Sequence, residues 1–299
     1  MQKEVIQEFS ILKDKSTVQS FYEQMLDFIV MSLNRMNANS NEINRLDPEY
    51  AKIFPIGEYT NDTYIDDNGE LEIVIASSDP QLVSLNNSFA KYIKNSKKKE
   101  KDNLINDGTF DKIIPTFAEY LASNFSEKTP ILLVNEGIKI ISKEEFSHKV
   151  LIRFATFNEN DENCILNFWQ CLSQNYVYAN LFDYVEKIDQ KDNDTNGKYK
   201  KIIRIYKNIR KNILINRLAK NSDISKYLVE LMMYNIPNSL YDFEDIYEVF
   251  VSTLNYLTNA NIYNFKDFDG NPIIKFAMAK SSYCDIKHFI DLIIKIASE

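Results

Sequence analysis

The sequence predicts an α+β protein: a mixed sheet core entered through an N-terminal helix and followed by a helical C-terminal lobe. Three observations carry that expectation. Apolar runs of strand length lie between residues 70 and 168, and from about 170 onward only helical periodicity is left. Six Gly and seven Pro in 299 residues are few, so long regular elements are expected. A polar gap, DQKDNDTNG at 189–197, divides the mixed part from the helical part and sets domain boundaries at 1–188 and 189–299.

In chain order, residues 1 to 37 are helical in pattern. Phe21, Met25, Phe28, Ile29, Met31 and Leu33 recur near helical spacing, and Ser16-Thr17 stands where a cap belongs. A polar break, NANSNEIN, precedes a short helix or turn that leads into Gly57-Glu58. The strand ELEIVIA at 70–76 stops at SSDP, where proline ends pairing. Residues 81–127 read as helices interrupted by SKKKEKD, a solvated charge run. ILLV (131–134) and IKII (138–141) form a hairpin across Asn135-Glu136-Gly137. KVLIRFATF (149–157) and CILNF (164–168) complete the strands.

Hydrophobic content of 44% and aromatic content of 13% belong to a folded globular chain. A net charge of −8 argues against a general nucleic-acid coat. Three Cys and two His have no metal-ligand spacing, so zinc and disulfide frameworks are not expected. The N-terminus lacks a signal-peptide core and no apolar run approaches 18 residues, so the expected location is the cytoplasm.

The candidate site is Glu70-Leu71-Glu72. Alternation along a strand turns both carboxylates to one side and Leu71 to the other, and two adjacent carboxylates at the mouth of a buried strand suit a cation. Around this pair the chain resembles the polymerase-β-like nucleotidyltransferases. It is most similar to the branch of oligoadenylate synthases, cyclic GMP-AMP synthase and the bacterial enzymes of cyclic-oligonucleotide antiphage signalling. FPIGEYTNDTYI resembles that family's FPxGSYxxGTxI, and ELEIVI its DIDIVV. RIYKNIR resembles its RxxKxxR helix, and YLVELMMYNIP a later helix with Glu and Tyr-Asn-x-Pro. The resemblance implies a nucleotidyltransferase-like core, a Gly-Ser loop around a triphosphate, and three carboxylates holding two Mg²⁺ ions.

Three departures stand against that pattern. The loop serine is Glu58, and one like-charge pair at ~4 Å costs about 4 kcal/mol at an effective dielectric of about 20. The second carboxylate is Glu72, longer than the usual Asp. The third is absent, with Leu151 in its place and no acid anywhere in 149–157. Arg153, two residues on, shares the face of Leu151 and is expected to pair with Glu70 or Glu72.

The other candidate is the basic helix at 198–220, with nine Lys or Arg and no acid. Lys200, Arg204, Lys207 and Lys211 form a stripe on it that suits either an anion site for NTP or nucleic acid, or a solvated face. The resemblance assigns phosphate contacts to Gly57, Glu58, Arg204, Lys207 and Lys226. The expected function is a catalytically degenerate protein that binds nucleotide, a protein partner or further copies of itself in a regulatory or assembly role. The alternative is an active transferase, with Mg²⁺ on Glu70 and Glu72, making oligo- or cyclic nucleotides from NTPs or adding nucleotides to RNA.

Overall fold

A computed structural model describes residues 2–12, 16–39, 46, 50–65, 70–79, 82, 110–125, 129–141, 149–158, 165–173, 175–179, 181–216, 225–274 and 279–298. The chain forms two compact units. One comprises Asp14–Thr60 and Asp66–Asp183; the other comprises Met1–Lys13, Asn61–Ile65 and Tyr184–Glu299.

The first unit is built on a seven-stranded sheet. Its strands are β1 (Ala51–Ile56), β2 (Glu70–Ser77), β3 (Ile131–Val134), β4 (Gly137–Ile141), β5 (Lys149–Thr156), β6 (Leu166–Gln170) and β7 (Asn175–Ala179). The order is β1-β2-β5-β4-β3, with β6 paired to β5 and β7 to β6. Among the described strands, only β2 and β5 run parallel. Parity then sorts the side chains. Leu71, Ile73, Ile75, Val150, Ile152 and Phe154 face a core shared with α2 (Ser16–Asn39) and α3 (Phe110–Asn124). From those helices come Met25, Ile29, Leu33, Ile113, Phe117 and Leu121. The opposite face carries a smaller apolar cluster of Ile56, Val74, Ala76, Ala155, Leu166 and Phe168. Beyond that cluster, the same face carries Glu70 and Glu72.

Three local readings are corrected. The segment before Gly57 is a strand and not a helix or turn: AKIFPI pairs along its whole length with β2, from Ala51 opposite Ser77 to Ile56 opposite Glu72. Pro55 is tolerated there because β1 is an edge strand. Strands also continue past residue 170, since NYVYA pairs with β6; its Tyr-Val-Tyr run suits a pleated surface better than a helix. Met31, grouped with Met25 and Leu33 by helical spacing, does not share their burial: it is exposed, while Met36 is buried.

The second unit is helical. It contains α1 (Lys3–Ser10), most of α4 (Leu181–Asp194), α5 (Tyr199–Ile215), α6 (Lys226–Tyr234), α7 (Ile246–Asn259) and α8 (Ala279–Ser298). Ser225 and Asp245 cap α6 and α7 by accepting from Leu228 N and Tyr247 N. Residues 1–13 group with these helices and not with the sheet, because Ile6 is fully buried among Ile202, Ile209 and Phe250 and their neighbours. The SKKKEKD run, Cys164 and His148 lie outside the described residues. Among those described, no helix is long and apolar enough to cross a membrane.

Candidate active site

The sheet brings the sequence-marked acids and two cations onto one face. Glu72 lies in register with Leu151 across the parallel β2–β5 pair, and Lys139 on β4 lies in register with Leu151 from the other side. The side chain beside Glu72 on β5 is therefore a buried leucine. Arg153 is one pleat further along. Its Nη1 is 3.4 Å from Glu72 Oε2, the pairing that strand parity predicts. Lys139 forms a salt bridge with Glu70, which the sequence reading did not anticipate. The signal for it was present: Lys139 is the one charged residue inside the apolar run IKII.

Arg153 is held from below. Its guanidinium lies over the Phe168 ring, 4.2 Å from the centroid, a contact of about 1 kcal/mol. Its Nε is buried without a hydrogen-bond partner. At 3.4 Å the link to Glu72 is long for a charge-assisted bond, so Arg153 retains unused donor capacity on this face. Burial pushes the Glu72 carboxyl above its usual range. Arg153 opposes that shift, and Glu70 and Glu58 reinforce it.

The turn after β1 closes the site from one edge. Gly57 has φ +79°, and a Cβ placed there would stand 3.3 Å from Glu72 Oε1. Glycine thus permits both the left-handed turn and the close approach to the carboxylate. Thr60 Oγ1 donates to Gly57 O at 2.8 Å and fastens the turn. Glu58, the residue after Gly57, stands close enough to Glu72 to raise its proton affinity.

The basic helix is arranged otherwise than a solvated stripe. Lys207 is fully buried in the helical unit, its Nζ 2.5 Å from Glu230 Oε1 and 3.0 Å from Thr63 Oγ1. Thr63 also donates to Glu230 at 2.8 Å, and Tyr184 OH donates to Oε2 of the same carboxylate. Arg204 is buried and donates to Ser10 O at 2.8 Å and Asp62 O at 2.7 Å. Lys200 pairs with Asp189 at 2.6 Å. Lys211 and the first residue of α6, Lys226, are half-buried. The signal for burial was legible, since Ile203 and Lys207 are four residues apart and share a helix face. A lone acid in YLVELMM likewise marks a buried partner.

Among the described residues no three His, Cys, Asp or Glu side chains are grouped closely enough to hold a metal ion. The donor set of the sheet face nevertheless fits one ion of a particular kind. Magnesium keeps several waters and binds through one or two carboxylates together with substrate phosphates. Glu70 and Glu72 meet that requirement for a single ion arriving with a triphosphate. The neighbouring side chain on β5, Leu151, offers no oxygen for a second ion.

Comparison with known proteins places this architecture. Residues 186–295 match the cGAS/DncV-like nucleotidyltransferase C-terminal helical domain. Over those residues the chain resembles the cGAS/DncV-like nucleotidyltransferases, and over most of its length it resembles a curated synthase and several solved ones. It is 26% identical over 239 residues to the cyclic nucleotide synthase CdnE01 of Staphylococcus haemolyticus, covering 75% of each chain. The fold is that of the CdnE cyclic dinucleotide synthase of Elizabethkingia meningoseptica, solved with GTP and Apcpp. The TM-score is 0.70, with 13% identity and 100% of both chains covered. It is also that of the Rhodothermus marinus CdnE c-UMP-AMP synthase, solved with Apcpp and Upnpp. There the TM-score is 0.65, with 17% identity and coverage of 100% of this chain and 98% of the other. These similarities overturn the expectation of a non-catalytic protein: the proteins it matches along its length in fold, and over three quarters of its length in sequence, are synthases.

Proposed function

We propose that this protein is a divalent-metal-dependent nucleotidyltransferase that joins NTPs into a cyclic or short linear oligonucleotide. The observation that carries the reading is the pair Glu70 and Glu72, side by side on one sheet face, with the Gly57 turn brought against Glu72. The reaction needs this arrangement because a triphosphate is a polyanion, and its reacting phosphate must be held while charge moves onto the leaving group. Glu70 and Glu72 would hold a Mg²⁺ ion carried in on the triphosphate, which neutralises the phosphates and stabilises departing pyrophosphate. Gly57 leaves backbone space for the phosphates beside the carboxylates, and Glu58 disfavours any phosphate that comes without a cation.

In the transfer itself, a ribose hydroxyl oxygen bonds to the α-phosphorus of the NTP. The bond from that phosphorus to the bridging oxygen breaks, pyrophosphate leaves with the electron pair, and the hydroxyl proton passes to solvent. No carboxylate on β5 is in place to receive it, since 149–157 contains none. A second transfer on the linear product would close a ring. Arg204 and Lys207 contribute to this reading by fixing the helical unit, through Ser10, Asp62, Thr63 and Glu230.

The test is direct. Purified protein is incubated with all four labelled NTPs and Mg²⁺ or Mn²⁺, and products are separated by chromatography. Nucleotide product is expected, falling roughly 100-fold or more in Glu70→Gln and in Glu72→Gln. No product under any metal or NTP combination, or product undiminished in both variants, would refute the assignment.

A further inference from the structure

The oxygens on the sheet face suffice for one ion, yet two cationic side chains already stand among them, and one of them holds its carboxylate only loosely. Lys139 is in salt-bridge contact with Glu70. Arg153 reaches Glu72 only at 3.4 Å and keeps a buried Nε without a partner. It lies over the Phe168 ring, 4.2 Å from the centroid, and that contact restricts the guanidinium. Both residues flank Leu151, the position that lacks an oxygen: Lys139 is its register partner, and Arg153 follows it by one pleat on the same face.

We propose that Arg153 takes the place of the second metal ion: the protein holds a single divalent cation on Glu70 and Glu72, and the Arg153 guanidinium supplies the remaining positive charge to the triphosphate. The two halves of the arrangement support each other. A leucine beside Glu72 removes the ligand that a second ion needs. A guanidinium needs no oxygen cage, stays charged at every working pH, and presents a planar fork that matches two phosphate oxygens. Without nucleotide, Arg153 offsets the charge of Glu72. With Mg²⁺ and NTP in place the ion takes over that carboxylate, and the Nη and Nε donors turn to the phosphate. The Phe168 ring keeps the guanidinium plane during that exchange. Arg153 is thus a phosphate-binding cation by this assignment, which rests on the synthase reading above.

The experiment counts ions. Protein is saturated with Apcpp, and bound Mn²⁺ is measured by electron paramagnetic resonance, with nucleotide affinity measured in parallel by titration calorimetry. One Mn²⁺ per protein–nucleotide complex is expected. Arg153→Met is expected to weaken Apcpp binding about tenfold or more while the count stays at one, and Arg153→Lys to recover part of the loss. The double variant Leu151→Asp with Arg153→Met is expected to raise the count to two, because it returns an oxygen ligand and removes the competing cation. Two ions in the parent protein, or unchanged affinity in a folded Arg153→Met variant, would overturn the assignment of Arg153. If NTPs still yield product in either of those cases, the synthase reading survives and only the role of Arg153 falls. Absence of both product and nucleotide-dependent Mn²⁺ binding would remove the two together.

Discussion

Lys191 shows how much one buried charge determines. Its Nζ donates to Tyr234 O and Ile236 O, both at 2.7 Å, and lies 5.2–5.7 Å from the centroids of Tyr199, Tyr234 and Tyr241. Burial lowers its pKa from 10.5 to about 8, against a smaller opposing effect of Asp194. Below the folded value both states carry the proton, and the folded state bears the full cost of desolvation. Between about 8 and 10.5 the unfolded chain holds a proton that the folded one has released, so stability rises with pH in that window. Tyr199 and Tyr241 act in the opposite sense at higher pH: burial raises both well above 10, so their ionisation in the unfolded chain favours unfolding there. Thermal melts are expected to show Tm climbing from about pH 8 and turning down above about pH 10, with the climb abolished in Lys191→Met. A flat profile in the parent protein would refute this account.

At the scale of elements, the sheet depends on one glycine and the helical unit on one ion pair. Gly137 opens β4 at φ +148°, and a Cβ there would stand 2.0 Å from Ile152 O, a backbone atom that cannot yield without moving β5. Gly137→Ala is expected to cost at least about 2 kcal/mol by denaturant unfolding. Because β4 carries Lys139 beside the site, activity should fall further than stability alone explains. Lys207 and Glu230 join α5 to α6 with side chains 0% and 4% exposed. Removing one partner strands a charge, so Lys207→Ala is expected to cost about 3–5 kcal/mol. Lys207→Met with Glu230→Leu should cost clearly less, since no orphan charge remains. An equal loss in the single and double variants would mean that volume, and not charge, dominates there.

Much of this was legible from residues alone. The hairpin is announced by Asn135-Glu136-Gly137 between two apolar runs, and the common face of Glu70 and Glu72 follows from their separation by two. The pairing of Arg153 follows from parity on β5. The edge strand β1 was not legible, because a proline in AKIFPI argues locally against pairing and only the position at the sheet margin removes the objection. The burial of Lys207 had a signal in its helix face, but charge composition pointed outward, and the acceptors that hold Arg204 and Lys207, such as Asp62, Thr63 and Glu230, are distant in sequence.

For the molecule as a whole, nucleotide binding should register as stability. A ligand selective for the folded state at a hundred times its Kd adds about 2.7 kcal/mol. Saturating ATP with Mg²⁺ is therefore expected to raise Tm by several degrees, with the shift lost in Glu72→Gln. A shift of equal size without metal would argue that the carboxylates do not hold the ion. By itself the sequence determined the fold class, the family resemblance and the lack of any acid in 149–157, because alternation, periodicity and residue chemistry are local properties of the chain. Only the tertiary structure decided which cations meet which carboxylates. Lys139 and Glu70, like Lys207 and Glu230, come from separate elements, and their charges interact only once strand register and helix packing have carried them out of water and into contact.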